Sequence, residues 1–168
     1  RILQEMHRAQ PPILHRDIKP SNIIRTSGGR ICLLDMNAAR RMSPGKAQDT
    51  QLIGTVGYAA PEQYRGGVDA AADVYGVAAT VFRTVTGNEP PAGNNRAKNS
   101  DDLFMSAEVA EELTQPVCVA LFNALQVQPD QRLSRQQEDR RTHQDQADRD
   151  QEFEAEGMSN ALVILGTE

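Results

Sequence analysis

The sequence has 168 residues, of which 39% are hydrophobic and 24% charged, with a net charge of −5 and a pI near 5.2. This length suits one domain with its own core, while the acidic balance argues against a nucleic-acid partner, because neutralising phosphates requires a basic surface. The two cysteines, Cys32 and Cys118, fall outside any zinc-type spacing, and no apolar run is long enough to span a membrane, so we expect a reduced, cytoplasmic protein without a membrane segment.

The first residues of the chain predict a short helix followed by small strands. Residues 1–9 place apolar side chains on one side of a helix, and Pro11 and Pro12 end it. The short apolar pairs 13–14 and 23–24 then flank a polar loop.

The middle of the chain predicts a strand, an irregular segment and a central helix. Residues 30–35 (RICLLD) form an apolar run after a Gly-Gly turn and predict a buried strand. Residues 36–67 contain seven Gly or Pro, which predicts a long irregular segment of the kind that is usually functional in a compact domain. Apolar residues recur at helical spacing from Val74 to Val85, with Gly87 placed to end the helix. We expect this apolar stripe to lie at the centre of the domain.

The C-terminal part predicts one more helix and then a tail. Thr114 is placed to begin a helix that runs through Leu125, with Pro116 tolerated in its first turn. From Ser134 to Gly157 only three residues are apolar, so this stretch cannot bury enough apolar surface to offset the entropy of ordering. We therefore expect residues 134–168 to form a polar, disordered tail.

The strongest motif is the run from His15 to Asn22 (HRDIKPSN). It matches the protein-kinase catalytic loop H-R-D-x-x-x-x-N at every fixed position. Phosphoryl transfer needs an acceptor aimed at the proton of the substrate hydroxyl and cations around the phosphoryl oxygens. The resemblance implies that Asp17 orients the hydroxyl and accepts its proton, that Lys19 neutralises charge on the γ-phosphate, and that Asn22 ligates a metal ion. Taken alone, the run could be a polar turn whose side chains make local backbone bonds.

Asp35 follows the predicted strand where the family has D-F-G, and the triplet here is D-M-N. A carboxylate at this position suits Mg²⁺, which prefers hard oxygen ligands. The resemblance implies that Asn22 and Asp35 hold Mg²⁺ together with ATP. It also implies that the adenine of ATP rests on Ile24. We expect Met36 to replace Phe as an apolar plug, and Asn37 to replace Gly because Asn tolerates left-handed backbone geometry. Taken alone, the aspartate could simply cap a strand end.

Residues 54–62 (GTVGYAAPE) resemble the end of a kinase activation segment, G-T-x-x-Y-x-A-P-E. The resemblance implies that the Thr55 hydroxyl bonds to both Asp17 and Lys19 and holds the two side chains in position.

The resemblance also implies structural roles for His15 and for three residues outside the catalytic loop. Glu62 would pair with Arg132, in a buried ion pair that is costly to break from one side. Asp73, in the run DVYG that matches the family's D-V-Y-S, would anchor the catalytic-loop backbone. Considered singly, Asp73 could be a helix-start residue and the other two could be unrelated surface charges.

A regulatory site is implied by Arg16 and the loop that contains Ser43 and Thr50. Arginines order phosphorylated segments, so a phosphate on Thr50 could be received by Arg16. An unmodified, solvated Thr50 is the alternative.

Taken together, residues 1–133 resemble the C-terminal lobe of bacterial-type, eukaryotic-like Ser/Thr protein kinases. The implied fold is mainly α (α+β), helical with small β-hairpins at the catalytic loop. The implied function is transfer of the γ-phosphoryl group of ATP, with Mg²⁺, to Ser or Thr hydroxyls of protein substrates.

The family's Gly-rich loop and its upstream lysine have no counterpart in the sequence, whose lysines are Lys19, Lys46 and Lys98. Because the chain also opens without Met and inside a helical pattern, we expect a fragment without the N-terminal lobe that transfers phosphate poorly by itself. A non-catalytic kinase-like binding module is the alternative function, with Asn37 as a first mark of decay. A truncated product that folds badly, with an apolar surface exposed, is a third interpretation.

Overall fold

The architecture comes from a computed structural model that describes residues 1–42, 54–99, 110–111 and 113–132. All described residues belong to the first of the two units of the chain, Arg1–Arg132. The predicted tail lies outside the described residues and stays a prediction. Ser43 and Thr50 also lie outside them, so the regulatory site expected in their loop stays a prediction too.

The first unit combines helices with small antiparallel sheets. The helices whose bounds lie within the described residues are α1 (Ile2–Arg8), α2 (Ala70–Thr86), α3 (Gly93–Asn99) and α4 (Gln115–Ala124). The strands are β1 (Ile13–Leu14), β2 (Ile23–Arg25), β3 (Ile31–Leu33) and β4 (Arg40–Arg41), with β1 paired to β4 and β2 paired to β3. This mixture agrees with the predicted α+β architecture, and the polar loop of residues 15–22 connects β1 to β2.

The β2–β3 hairpin is less buried than the sequence predicts. Residues of β3 pair with β2, with Cys32 opposite Ile24, but Ile31 is 54% exposed and Leu34 is exposed too. The expectation of a buried strand is therefore wrong. A two-stranded hairpin leaves side chains open to solvent unless a further layer covers them.

Helix α2 begins one turn earlier than the sequence predicts and ends where expected. Asp69 is its N-cap, and the Asp69 side chain accepts a hydrogen bond from the backbone N–H of Ala71 at 2.8 Å. Asp73 consequently lies inside the first turn instead of opening the helix, because three alanines, strong helix formers, extend it backwards. Gly87 ends α2 with a φ of 71°, a left-handed conformation that glycine adopts at little cost.

The buried face of α2 coincides only in part with the predicted stripe. Ala78 and Phe82 of that stripe are buried, whereas Val77 and Val81 are 36% and 38% exposed. The helix buries the side that carries Tyr75, Ala78, Phe82 and further alanines. That face packs against α4, and the core it forms contains Tyr58, Ala60, Ala72, Tyr75, Ala78, Ala79, Phe82, Leu121 and Leu125. Apolar residues cover more than one side of α2. The buried side is the one that combines aromatic rings with alanines, because the small alanine side chains let a neighbouring helix approach closely.

Helix α4 begins as predicted, with Thr114 preceding its first residue and Pro116 in its first turn, although Thr114 makes no side-chain capping bond. Within the described ranges, no helix is both long and apolar enough to cross a membrane.

The polar loop of residues 15–22 rests directly on the backbone of α2. A Cβ atom added to Gly76 would lie 3.0 Å from Ile18 Cβ and 3.2 Å from the Ile18 carbonyl oxygen. A hydrogen atom in place of a side chain at position 76 therefore allows this close approach, which positions the loop for the site described next.

Candidate active site

Asp17, Lys19 and Thr55 form a closed triangle of polar contacts. The Thr55 hydroxyl donates to Asp17 Oδ1 at 2.7 Å, and Lys19 Nζ lies 2.8 Å from both Asp17 Oδ2 and Thr55 Oγ1. Because the single hydroxyl proton of Thr55 goes to the carboxylate, its oxygen is left to accept from the ammonium group. The triangle joins the 15–22 loop to the 54–64 segment, which are far apart in the sequence.

The environment of Asp17 keeps its carboxylate ionised. Burial by itself raises the pKa of Asp17, but hydrogen bonds from Lys19 and Thr55, the charge of Lys19 and a hydrogen bond from Asn22 outweigh it, so the pKa lies below its ordinary value of 3.8. A carboxylate with a lowered pKa is a weaker base than an ordinary one. This arrangement suits orienting a hydroxyl group more than removing its proton early.

Asn22 closes the loop from its C-terminal end. Its Nδ2 donates to the Asp17 carbonyl oxygen at 2.8 Å and approaches Asp17 Oδ2 at 3.3 Å. Because Nδ2 is used in this way, the Asn22 Oδ1 is the end of the amide available to a ligand.

Asp73 holds the start of the same loop. Its carboxylate is almost fully buried and accepts from the backbone N–H groups of His15 and Arg16 at 2.9 and 2.8 Å. The His7 ring adds a third contact, with Nε2 lying 2.8 Å from Asp73 Oδ2. His7 therefore belongs to this anchor, a role that no local sequence signal indicates.

His15 connects the loop to the residues before Asp35. Its Nε2 lies 3.0 Å from the Leu34 carbonyl oxygen, and its Nδ1 lies 3.4 Å from the Asp17 backbone nitrogen. Since a carbonyl oxygen can only accept, these contacts assign the ring proton to Nε2. Leu34 in turn donates its backbone N–H to the Asn22 carbonyl at 2.7 Å, so the two segments that carry Asn22 and Asp35 run side by side.

The Asp35 triplet has a different backbone geometry from the predicted one. Asp35 itself is left-handed, with φ 59°, and its carboxylate accepts from the Asn37 backbone N–H at 3.2 Å. Asn37 lies in the 3-10 helix Met36–Ala38, so the expectation that it supplies the left-handed residue is wrong. The expectation of an apolar plug is also wrong, because Met36 is 49% exposed. Aspartate tolerates left-handed geometry as asparagine does, which explains how Asp35, two residues before Asn37, adopts it.

Asn22 and Asp35 are suitable ligands for a hard cation. Asp35 is exposed and offers a carboxylate, and Asn22 offers an amide oxygen. Mg²⁺ prefers such oxygens and completes its octahedron with water or substrate phosphates, so one carboxylate and one amide fit a nucleotide-bound Mg²⁺. Among the described residues no cluster of three His, Cys, Asp or Glu side chains could hold a metal by itself. Ile24 is exposed on β2 beside this region and offers an apolar surface.

Glu62 and Arg132 form a buried ion pair. Arg132 Nη1 and Nη2 donate to the two carboxylate oxygens of Glu62 at 2.5 and 2.9 Å. The remaining donors of the guanidinium reach the carbonyl oxygens of Ala71, Gln126 and Val127. Its centre also lies 4.9 Å from the Tyr75 ring centroid. The pair therefore ties the 54–64 segment to the first turn of α2 and to the end of the unit.

Two features of the site follow from no sequence pattern that we recognised. Arg16 is buried, and its backbone is left-handed, with φ 70°. The Gln63 side chain donates from Nε2 to the Arg16 carbonyl oxygen at 2.8 Å. The other half of the expected regulatory pair, Thr50, lies outside the described residues.

Comparisons with known proteins identify the family that the chain resembles in sequence. The profile of the family described as protein kinase domain matches residues 1–144. The chain is 38% identical over 97 residues to a probable serine/threonine-protein kinase PknB of Corynebacterium glutamicum, a match that covers 55% of this chain and 15% of that protein. It is 37% identical over 89 residues to the serine/threonine-protein kinase PknB of Mycobacterium leprae, covering 51% of this chain and 14% of that protein. It is 30% identical over 151 residues to the serine/threonine-protein kinase PknB of Mycolicibacterium smegmatis, a match that covers 82% of this chain and 24% of that protein. The chain thus spans a quarter or less of the length of these relatives.

Proposed function

Because the chain belongs to the protein kinase domain family, we propose that it forms the C-terminal lobe of a Ser/Thr protein kinase, which transfers the γ-phosphoryl group of Mg·ATP to Ser or Thr hydroxyls of protein substrates. The observation that carries this proposal is the triangle of Asp17, Lys19 and Thr55, with Oγ1 and Nζ both within 2.8 Å of the Asp17 carboxylate. The names of the relatives from Corynebacterium and Mycobacterium support the Ser/Thr assignment.

In this proposal the described side chains divide the work of phosphoryl transfer. Asp17 accepts a hydrogen bond from the substrate hydroxyl and directs the hydroxyl oxygen at the γ-phosphorus atom of ATP. As the new O–P bond forms, the bond from that phosphorus to the β-phosphate oxygen breaks, ADP leaves, and Asp17 takes the hydroxyl proton. Thr55 keeps the carboxylate from rotating away, through its 2.7 Å bond to Oδ1. Lys19, already 2.8 Å from Asp17, brings a positive charge to the place where negative charge develops on the transferred group.

Asn22 and Asp35 would hold Mg²⁺, and Ile24 would support the adenine from below. When bound, Mg²⁺ neutralises charge on the phosphates of ATP. The Asn22 amide is already oriented for this task, because its Nδ2 is fixed on Asp17 and its Oδ1 is left for a cation. The other ligands would come from phosphate oxygens and water.

The proposed lobe comprises residues 1–133, with residues 134–168 as a separate polar segment. We also propose that Arg16 receives a phosphate carried by Thr50, which would order the segment between Asp35 and Thr55. Phosphorylated and unphosphorylated protein, compared by mass spectrometry and activity, would test this part independently.

The test of the proposed function is the variant Asp17→Asn in the longest natural protein that contains this sequence. Loss of the oriented carboxylate should lower kcat by about 10²- to 10⁴-fold and leave the KM for ATP nearly unchanged. Asp130→Asn is a matched control, because Asp130 is an exposed aspartate in the 3-10 helix Pro129–Gln131, outside the triangle. Transfer of labelled phosphate to a general Ser/Thr protein substrate is the assay.

Two results would count against the proposal. A near-normal kcat for Asp17→Asn would remove Asp17 from the chemistry. A natural protein that folds and transfers no phosphate would favour the alternative, a non-catalytic kinase-like binding module.

A further inference from the structure

Gln63 lies in the 3-10 helix Pro61–Tyr64 and is only 5% exposed. Its Oε1 accepts a hydrogen bond from the backbone N–H of Ala60 at 3.0 Å, and its Nε2 donates to the Arg16 carbonyl oxygen at 2.8 Å. A side-chain amide has one accepting end and one donating end. The bond from Ala60 therefore fixes which end of Gln63 faces Arg16.

The group that Gln63 holds is the peptide unit immediately before Asp17. Arg16 has a φ of 70°, a conformation that residues with a Cβ avoid unless the surroundings impose it. Its N–H is held by the buried Asp73 carboxylate at 2.8 Å, and its C=O is held by the buried Gln63 amide. The two side chains come from 57 and 47 residues further along the chain. Since the Arg16 carbonyl and the Asp17 nitrogen share one peptide plane, the bond from Gln63 sets the direction in which Asp17 leaves the backbone.

The same amide also lies close to Gly54, the residue before Thr55. A Cβ atom on Gly54 would lie 3.0 Å from Gln63 Nε2, and Gly54 has a φ of 140° that favours glycine. Gln63 thus lies between Gly54, which precedes Thr55, and Arg16, which precedes Asp17.

We propose that Gln63 is a positioning residue for phosphoryl transfer, which holds the peptide between Arg16 and Asp17 and links the placement of the 54–64 segment to the orientation of the Asp17 carboxylate. It acts through the Arg16 carbonyl and does not touch substrate. This inference rests on the proposed kinase function.

Two variants separate positioning from simple support of the fold. Gln63→Met keeps the length of the side chain and removes both hydrogen bonds. Gln63→Glu keeps the acceptor for Ala60 and replaces the donor that faces Arg16 with a carboxylate oxygen. Gln126→Met is the matched control. Gln126 is a half-buried glutamine just after α4, and its side-chain amide donates to the carbonyl oxygen of Phe122, four residues earlier in the chain. All variants are made in the longest natural protein that contains this sequence.

We expect kcat per folded molecule to fall about ten- to a hundredfold in Gln63→Met, with the KM for ATP nearly unchanged, because a misplacement of about 1 Å can cost this much. Gln126→Met should stay within about twofold of the natural protein. Gln63→Glu should lose activity at neutral pH and recover it as the pH falls, since a buried carboxyl group takes up a proton readily and then donates to the Arg16 carbonyl. A merely structural role for Gln63 would produce no such pH-dependent recovery.

The outcomes distinguish this inference from the proposed function. If the natural protein is active and kcat per folded molecule in both Gln63 variants matches the Gln126→Met control, the inference is overturned and the proposed function stands. If Gln63→Met fails to fold, the pH profile of Gln63→Glu decides, and a flat profile overturns the inference. If the natural protein transfers no phosphate, the proposed function fails. The NMR amide signal of Asp17, measured in Gln63→Met, then decides whether Gln63 holds the loop. If this signal shifts no more in Gln63→Met than in Gln126→Met, that role is overturned.

Discussion

Replacing Arg132 with alanine would leave the Glu62 carboxylate buried without its cation. In the native chain Arg132 is 1% exposed, and two of its donors go to the Glu62 oxygens at 2.5 and 2.9 Å. The other three donors satisfy backbone carbonyl groups, so the substitution removes five hydrogen bonds at one position.

The expected loss follows mainly from the stranded charge. Removing one partner of a buried ion pair costs about 3–5 kcal/mol, because the remaining ion keeps its desolvation penalty without compensation. The three carbonyl groups add on the order of 1 kcal/mol each where water does not replace the lost donor. Against a typical domain stability of about 5–15 kcal/mol, the variant should lose a large fraction of its free energy of unfolding.

Urea unfolding of the 168-residue chain, followed by circular dichroism, measures this loss. With a slope of about 2 kcal/mol per molar urea, a loss of 3–5 kcal/mol moves the midpoint down by roughly 1.5–2.5 M. Arg65→Ala is a suitable control, because Arg65 is an exposed arginine just after the 3-10 helix Pro61–Tyr64 that contains Glu62. The urea midpoint of this variant should hardly differ from that of the native chain. The double variant Glu62→Gln with Arg132→Met removes both charges and should be less damaging than Arg132→Ala alone.

Two results would refute this reasoning. An Arg132→Ala midpoint equal to the native one would mean that the ion pair is exposed to water in solution. A double variant as unstable as the single one would mean that packing of the Arg132 stem, and not the unpaired carboxylate, dominates the loss.

Three further predictions concern the loop and its supports. Because the pKa of Asp17 is depressed in the folded state, its ionisation stabilises the fold above about pH 4, and this contribution is lost as the pH falls through the folded pKa. The free energy of unfolding, measured in urea across this range, should therefore fall more steeply with acidification in the native chain than in Asp17→Asn, and parallel curves would contradict it. Thr55→Val should lower kcat by about tenfold or more while Thr55→Ser retains most of it, since only serine keeps the hydroxyl between Asp17 and Lys19; equal rates for both would argue against the contact. Gly76→Val should destabilise the chain by about 1–3 kcal/mol in thermal unfolding, because its side chain would overlap Ile18, and an unchanged Tm would show that the loop can move aside.

The sequence predicts the short elements and the loop better than it predicts burial. The resemblance of two motifs to the protein-kinase family indicated the residues of the Asp17 triangle. Gly and Pro indicated the ends of α1 and α2, since these signals are local. The buried face of α2 was predicted only in part, because Ala78 and Phe82 of the predicted stripe are buried while Val77 and Val81 are exposed. In the structure the alanines matter more, since they let a second helix approach beside Tyr75 and Phe82.

Contacts over long sequence separations explain what the sequence did not predict. His7 and Gln63 reach partners 66 and 47 residues away, and neither has a neighbour in sequence that marks it. The left-handed backbones of Arg16 and Asp35 are likewise imposed by their surroundings, so residue type alone could not reveal them and led us to Asn37 instead.

The spacing of Asp73 and Gly76 means that the register of α2 determines the position of the 15–22 loop. The two residues lie three positions apart, so they share one side of the helix, where one binds the loop backbone and the other makes room for Ile18. Sliding the helix by one residue would turn this side by about 100° and advance it by about 1.5 Å, displacing each Cα sideways by roughly 3.5 Å. Bonds of 2.8 and 2.9 Å do not survive such a shift, and a bulky neighbour would take the place of the glycine. Point substitutions at the exposed Val77 and Val81 should thus be tolerated, whereas a one-residue insertion or deletion between Asp69 and Gly76 should disable the loop even in a chain that remains helical.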